Sequence, residues 1–152
     1  MEEVHQRAFG RVDEAQLVAA LIDGGYGRVS LVAEQAGRIV GHVLFTELPI
    51  VDGGTAFLAI SLAPLAVLPE YQRQGIGGRL VHAGLSACRA AGERAVVVLG
   101  HPHYYPRFGF SVALTSELQS VFKGEAFMAL ELVPGALAGM RGEVRYPPPF
   151  GV

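Results

Sequence analysis

The chain has 152 residues, 51% of them hydrophobic and 17% charged, with a formal net charge of −2. That is enough apolar material for one core, leaves little room for a second domain, and lacks the basic excess of a nucleic-acid binder. A lone cysteine, Cys88, excludes an internal disulfide, and no run of about 18 apolar residues reads as a membrane span.

The mixed, acidic start MEEVHQRAFG is unlike a signal peptide, so the expected compartment is the cytoplasm, with neither nucleic acid nor membrane as partner. Apolar positions at Val4, Ala8, Leu17, Val18, Leu21 and Ile22 predict helix over residues 4–22, with a break at Gly10, Asp13 as a cap for its second part, and a stop at Gly24-Gly25-Tyr26-Gly27. Strands are expected over residues 30–34 and 38–47, joined by the turn Gln35-Ala36-Gly37. Asp52-Gly53-Gly54 then turns the chain into a strand over residues 56–67.

Residues 75–91 carry the clearest helical period. Arg79, His82, Ser86 and Arg89 fall on one face, Ile76, Leu80, Ala83, Leu85, Ala87 and Cys88 on the other, and Gly92 supplies the stop. Cys88 on the apolar side reads as core packing. The run AVVVLG at 95–100 is of buried-strand type, and strand, helix and buried strand in succession imply a crossover between two parallel strands. HPHYYPRFGF, residues 101–110, is too rich in Pro and Gly for a long helix and predicts a short turn and a loop. A strand follows near 127–132, another near 110–113, and the tail YPPPFGV is expected to be extended. The fold class is α/β with a mixed central sheet flanked by helices.

The stretch PEYQRQGIGGRLV places Gly75, Gly77 and Gly78 where the helix begins, although glycine weakens a helix by about 1 kcal/mol against alanine. A helix N-terminus leaves about four backbone N–H groups unpaired and carries about half a positive charge, and glycines let an anion reach those groups. The P-loop does not fit, because no Gly-Lys-Ser/Thr occurs. The dinucleotide fingerprint does not fit either, because Leu80 stands where its third glycine belongs.

The pattern that fits is Q-x-x-G-x-G over Gln72 to Gly77, preceded by LAVLPEY. Here the sequence resembles the GNAT acyltransferase superfamily and, through SLVAEQAGRIVGHVLF, AVVVLG, YYPRFGF and FMALELVPGALAG, its YhbS-like branch. The resemblance implies a single N-acetyltransferase domain over residues 1–152 that takes acetyl-CoA as co-substrate, with no metal. Such proteins open with a strand and a longer first helix. The match puts Val4 inside that helix, so the expectation is either a misassigned start codon or a first strand that is missing or supplied otherwise.

The resemblance also implies roles. The pantetheine arm would pair with Leu65, Ala66 and Val67, and the pyrophosphate would meet the loop of Gln72, Arg73, Gln74, Gly75, Ile76, Gly77 and Gly78. The Val67 N–H would polarise the thioester carbonyl. Tyr105, four residues before the Gly of Gly109-Phe110, would act as general acid to the leaving thiolate, with Tyr104 a weaker candidate; the opposing reading is that both tyrosines only pack the short helix against the sheet. The base is less determined: Glu47, His101 and His103 are candidates, because no carboxylate ends the strand after the main helix. His101-x-His103 alone lacks the third ligand of a metal site. Arg79 is set on the solvated face.

The acceptor implied is a small-molecule amine or, less directly, a peptide. A CoA-binding sensor or interaction module on the same fold is the alternative, and a binder of some other phosphate is more remote. Exposed edge strands near the C-terminus leave a homodimer open.

Overall fold

The computed structural model describes residues 12–152. The expected helix over residues 4–11 and the first strand implied by the resemblance lie outside these residues. Helix α1 (Val12–Asp23) buries Ala15, Val18 and Leu21 at three-residue steps. It closes where the glycines predict: the Gly25 and Tyr26 amides donate to the Ile22 and Leu21 carbonyls, and Gly25 takes φ +77°.

The strands are β1 (Gly27–Gln35), β2 (Arg38–Asp52), β3 (Thr55–Val67), β4 (Ala95–Leu99), β5 (Leu118–Gln119), β6 (Phe127–Glu131) and β7 (Gly142–Val144), with helix α2 (Ile76–Ala90) between β3 and β4. They form one mixed sheet in the order β5-β7-β2-β3-β4-β6. One edge of β2 carries β3. The other is shared by β1 and, beyond it, by β7 at Ile50 and Val51. The β3–α2–β4 crossover has the parallel pairing expected from the sequence.

Both sheet faces are covered. On one, Val43, Phe45, Ile60, Leu62, Val96 and Val98 pack against Leu80, Val81, Leu85 and Cys88 of α2. On the other, Leu48, Ile50, Ala59, Val97 and Phe127 make a second cluster, and Leu44 meets Val18 and Leu21 of α1. Burial holds the Cys88 thiol up at about 12, which suits a packing residue and not a nucleophile.

Three local expectations are corrected. The buried stripe of α2 runs through Ile76, Leu80, Val81, Gly84, Leu85 and Cys88, whereas Ala83 is exposed and Ala87 only half-buried. Gly84 belongs to the stripe because the Phe45 ring lies against it, filling the space a β-carbon would need. The strand expected over 110–113 shrinks to one bridge between Ser111 and Ala129, since the Ser111 Oγ accepts from the Ala113 amide and draws the chain into the turn Ala113–Thr115. The tail is not wholly extended: Pro148–Phe150 forms a 3₁₀ turn, for which the φ that proline fixes is equally suitable, and Phe150 packs back beside α1.

Candidate functional site

The parallel pair β3 and β4 is joined only at Ile60 with Val96 and at Ser61 with Val97. Beyond that point β3 runs on to Val67 and β4 to Leu99, and the two part. The parting coincides with a bulge. Across β2, Val43 faces Leu65 and Phe45 faces Leu62, so Ala63 and Pro64 together oppose Leu44. Pro64 has no N–H to offer the ladder, which suits it to this place. One edge of β3 therefore stays paired with β2 through Val67 while its other edge is unpaired. A cleft of about 1020 Å³ opens along that unpaired edge and passes from one side of the sheet to the other.

At one end of the cleft is the glycine-rich loop. Gly75 caps α2 with φ +83°, a conformation that a side chain resists, and Arg73 takes φ +64°. Gln72 is exposed, but its side chain folds onto the strand end: its Nε2 donates to the Val67 carbonyl at 2.9 Å and ties the loop to the strand it follows. Gly77 faces the Tyr104 hydroxyl, which would lie 3.3 Å from a β-carbon at that position. The Arg107 guanidinium sits 4.8 Å over the Tyr104 ring and also lines the cleft. The loop end thus presents α2 amides, two arginines and a phenol, all suited to phosphate.

In the middle stands Tyr105. Its ring lies against Gly100, where a β-carbon would overlap it, and makes edge contacts with Tyr104 at 5.1 Å and Phe110 at 5.8 Å. Burial, with a smaller contribution from Tyr104, pushes its hydroxyl up to about 12. Burial raises Tyr104 as well, against an opposing pull from Arg107. Both phenols are therefore neutral donors at neutral pH.

The far end is aromatic. Phe122 and Tyr146 meet edge to face at 5.3 Å, and Tyr146 meets Phe150 in the same way at 5.3 Å. Leu17 of α1 joins them, and Ser61 stands at the neck where the strands divide.

Of the residues expected to hold the cofactor, Leu65, Val67, Gln72, Arg73, Gly75, Ile76, Gly77 and Gly78 line the cleft. Ala66 does not, because alternation along β3 turns it away, opposite His42. Gln74 does not either; its side chain folds back to the Glu70 carbonyl at 3.4 Å. Among the base candidates, His101 lines the cleft and is exposed, while His103 is exposed and lies off it. Glu47 is not brought there: it pairs with Ile60, where β3 and β4 are still joined and no gap exists for it to face. Sequence reasoning missed Ser61, Tyr71, Arg107, Phe122, Tyr146 and Phe150. Tyr71 and Arg107 lay within the quoted PEYQRQGIGGRLV and YYPRFGF, and Tyr146 and Phe150 within the tail YPPPFGV, but none was given a place in the site; Ser61 and Phe122 lay outside every stretch singled out.

Comparison with known proteins agrees with this geometry. An acetyltransferase (GNAT) domain model matches residues 1–113. The chain belongs to the GNAT acetyltransferase family. It is 37% identical to the uncharacterized N-acetyltransferase YhbS of Escherichia coli K12, over 93% of this chain and 85% of that protein. It is 47% identical to the uncharacterized N-acetyltransferase YjhQ of the same organism over 112 residues, which is 72% of this chain but only 62% of YjhQ. The crystal structure of E. coli YhbS in complex with CoA superposes with a TM-score of 0.90 at 34% identity, covering 99% of this chain and 84% of that one. A GNAT acetyltransferase from Brucella melitensis in complex with acetyl-CoA gives 0.81 at 34% identity, with coverages of 98% and 88%. The GNAT fold and the YhbS-like resemblance are thereby shown for this chain.

Proposed function

We propose that this GNAT protein transfers the acetyl group of acetyl-CoA to the amine of a small-molecule acceptor by direct attack on the thioester. The observation that carries the reading is the parting of β3 and β4 beyond Ser61, with a cleft that joins the α2 N-terminus to a separate chamber across the sheet. A linear co-substrate fits that path, its phosphates at one end and its thioester at the neck. CoA is the group bound in the YhbS crystal structure, and acetyl-CoA in that from B. melitensis.

In this reading the pyrophosphate meets the amides of the glycine loop and α2, with Arg73 and Arg107 as counter-charges. The pantetheine arm pairs with the free edge of β3 along Leu65 and Val67. The amine must lose its proton to attack. Val67 lies beside Gly77 at the loop end, six residues along β3 from the neck, so its N–H meets the arm and not the oxyanion expected of it. Tyr105 serves the departing thiolate. A phenol held at about 12 is several units weaker as an acid than a thiol of about 8.5, so its part is to donate a hydrogen bond to the sulfur and not to surrender its proton early. His101, exposed at the cleft rim, is the base candidate in reach of the site.

The test pairs two measurements. Acetyl-CoA should raise the melting temperature, because a ligand of the folded state stabilises it. Free CoA thiol should then appear when amines are supplied from a panel of small amines, amino acids and peptides. A thermal shift without thiol release from any amine would identify a binding module instead.

A further inference from the structure

The chamber across the sheet from the glycine loop is distinguished by its walls. Phe122, Tyr146 and Phe150 form a continuous edge-to-face series, and Leu17 faces them from α1. Among the described residues that line the cleft there is no Asp or Glu, and its charged groups, Arg73 and Arg107, are cationic. A chamber built for a polyamine, an aminoglycoside or a lysine side chain in a basic peptide would need anionic groups to receive several ammonium charges. This one offers ring surface for an apolar body.

We propose that the acceptor is a primary amine carried on an aromatic body, with no second positive charge. The inference rests on the acetyl-transfer reading and names its substrate class. The ring stacks among Phe122, Tyr146 and Phe150, and the amino group points back to the neck. Ser61 lines that neck, and Thr46 is its direct partner across β2 and β3. The Ser61 hydroxyl gives the amine N–H an acceptor beside the thioester path. Taking the amine out of water into an apolar, carboxylate-free chamber also favours its neutral form, which is the nucleophile. Attack forms the N–C bond of an amide and breaks the C–S bond. One proton leaves the ammonium for solvent before attack, and the second, lost from the tetrahedral adduct, balances the proton the departing thiolate takes up to become CoA.

The full chain is assayed with acetyl-CoA and 2-phenylethylamine, spermidine or Nα-acetyllysine, following thiol release and, separately, equilibrium binding of each amine to the CoA complex. The expected result is a kcat/KM for 2-phenylethylamine at least about tenfold above those for the other two. Phe150→Ala and Phe122→Leu should each lower it about tenfold with the KM for acetyl-CoA unchanged. The leucine variant keeps apolar volume and guards against a folding defect, and the acetyl-CoA thermal shift reports that either variant is folded. A preference for spermidine or Nα-acetyllysine overturns the inference and leaves acetyl transfer standing. So does an aromatic-to-aliphatic ratio that neither variant alters. Binding of 2-phenylethylamine without turnover of any amine keeps the aromatic chamber and overturns acetyl transfer.

Discussion

The two ends of the cleft are built from different materials. The loop end is mostly backbone: β3, the glycine turn and the first amides of α2 are contiguous in the chain, and what matters there is that side chains are missing or turned aside, as at Gly75, Gly77 and Gln72. The far end is side chain: Leu17 comes from α1, Ser61 from β3, Phe122 from a loop, and Tyr146 and Phe150 from the C-terminal tail, four separate parts of the sequence. A backbone site binds one kind of group and tolerates little change. A side-chain chamber can be repacked for another acceptor without disturbing the fold.

The sharpest test of that contrast is a charge at the loop end. Gly77→Glu should raise the acetyl-CoA dissociation constant by about 100-fold or more, roughly 2.7 kcal/mol, read by calorimetry or by loss of the thermal shift. The protein should still fold, because Gly77 is only half-buried and an acidic residue in the first turn of a helix is favourable. Retained affinity would mean that the phosphates do not dock at α2.

At the midpoint of the cleft, Tyr105→Phe should keep acetyl-CoA affinity within about twofold and lower kcat about tenfold or more. An unchanged kcat would remove the hydroxyl from the reaction. Because burial holds this phenol at about 12, its ionisation should produce no descending limb in the rate profile between pH 7 and pH 10. The rate should rise over that range as the amine loses its proton.

The difference between the ends also explains what sequence could reveal. The loop end was legible because its parts are neighbours: LAVLPEYQRQGIG carries the strand end, the turn and the helix start in one stretch, and each glycine there has a backbone reason. The crossover was legible from the apolar run at 95–100 and the period of α2. The chamber was not, because Phe122 and Phe150 read as ordinary apolar residues in loops and nothing local links them to Leu17. The shift from Ala83 to Gly84 as the buried position of α2 was hidden for a similar reason: it depends on the Phe45 ring, from a strand far back in the chain. Glu47 drew attention by its charge, yet its place is fixed by a cross-strand register that sequence does not display.

The platform behind the loop end has its own pH dependence. His42 is fully buried opposite Ala66, and its Nε2 lies 2.8 Å from the Ser30 hydroxyl. Burial, ahead of any charge, holds it down at about 4, against 6.5 for the free group. Its neutral form is the one the fold accepts. The contribution to stability is therefore complete above pH 6.5 and is lost as pH falls from 6.5 toward 4, where the unfolded chain binds a proton and the folded one does not. The loss should approach about 3 kcal/mol in urea melts, and His42→Asn should flatten that slope.

The smallest effect isolates the tie between strand and loop. Gln72 does not need to touch phosphate to matter, because its Nε2 holds the Val67 carbonyl while the loop turns away from the strand. Gln72→Ala removes a hydrogen bond with a net value of about 1 kcal/mol and should weaken acetyl-CoA about fivefold through loop freedom. Gln72→Glu keeps the length but replaces the donor with a second acceptor facing Val67, and adds a negative charge beside the phosphates. It should therefore weaken binding more than alanine does. Equal effects of the two substitutions would show that Gln72 merely fills space. A stronger effect of alanine would place the side chain on the ligand instead of on the strand, and the loop end would then depend on side chains as the chamber does.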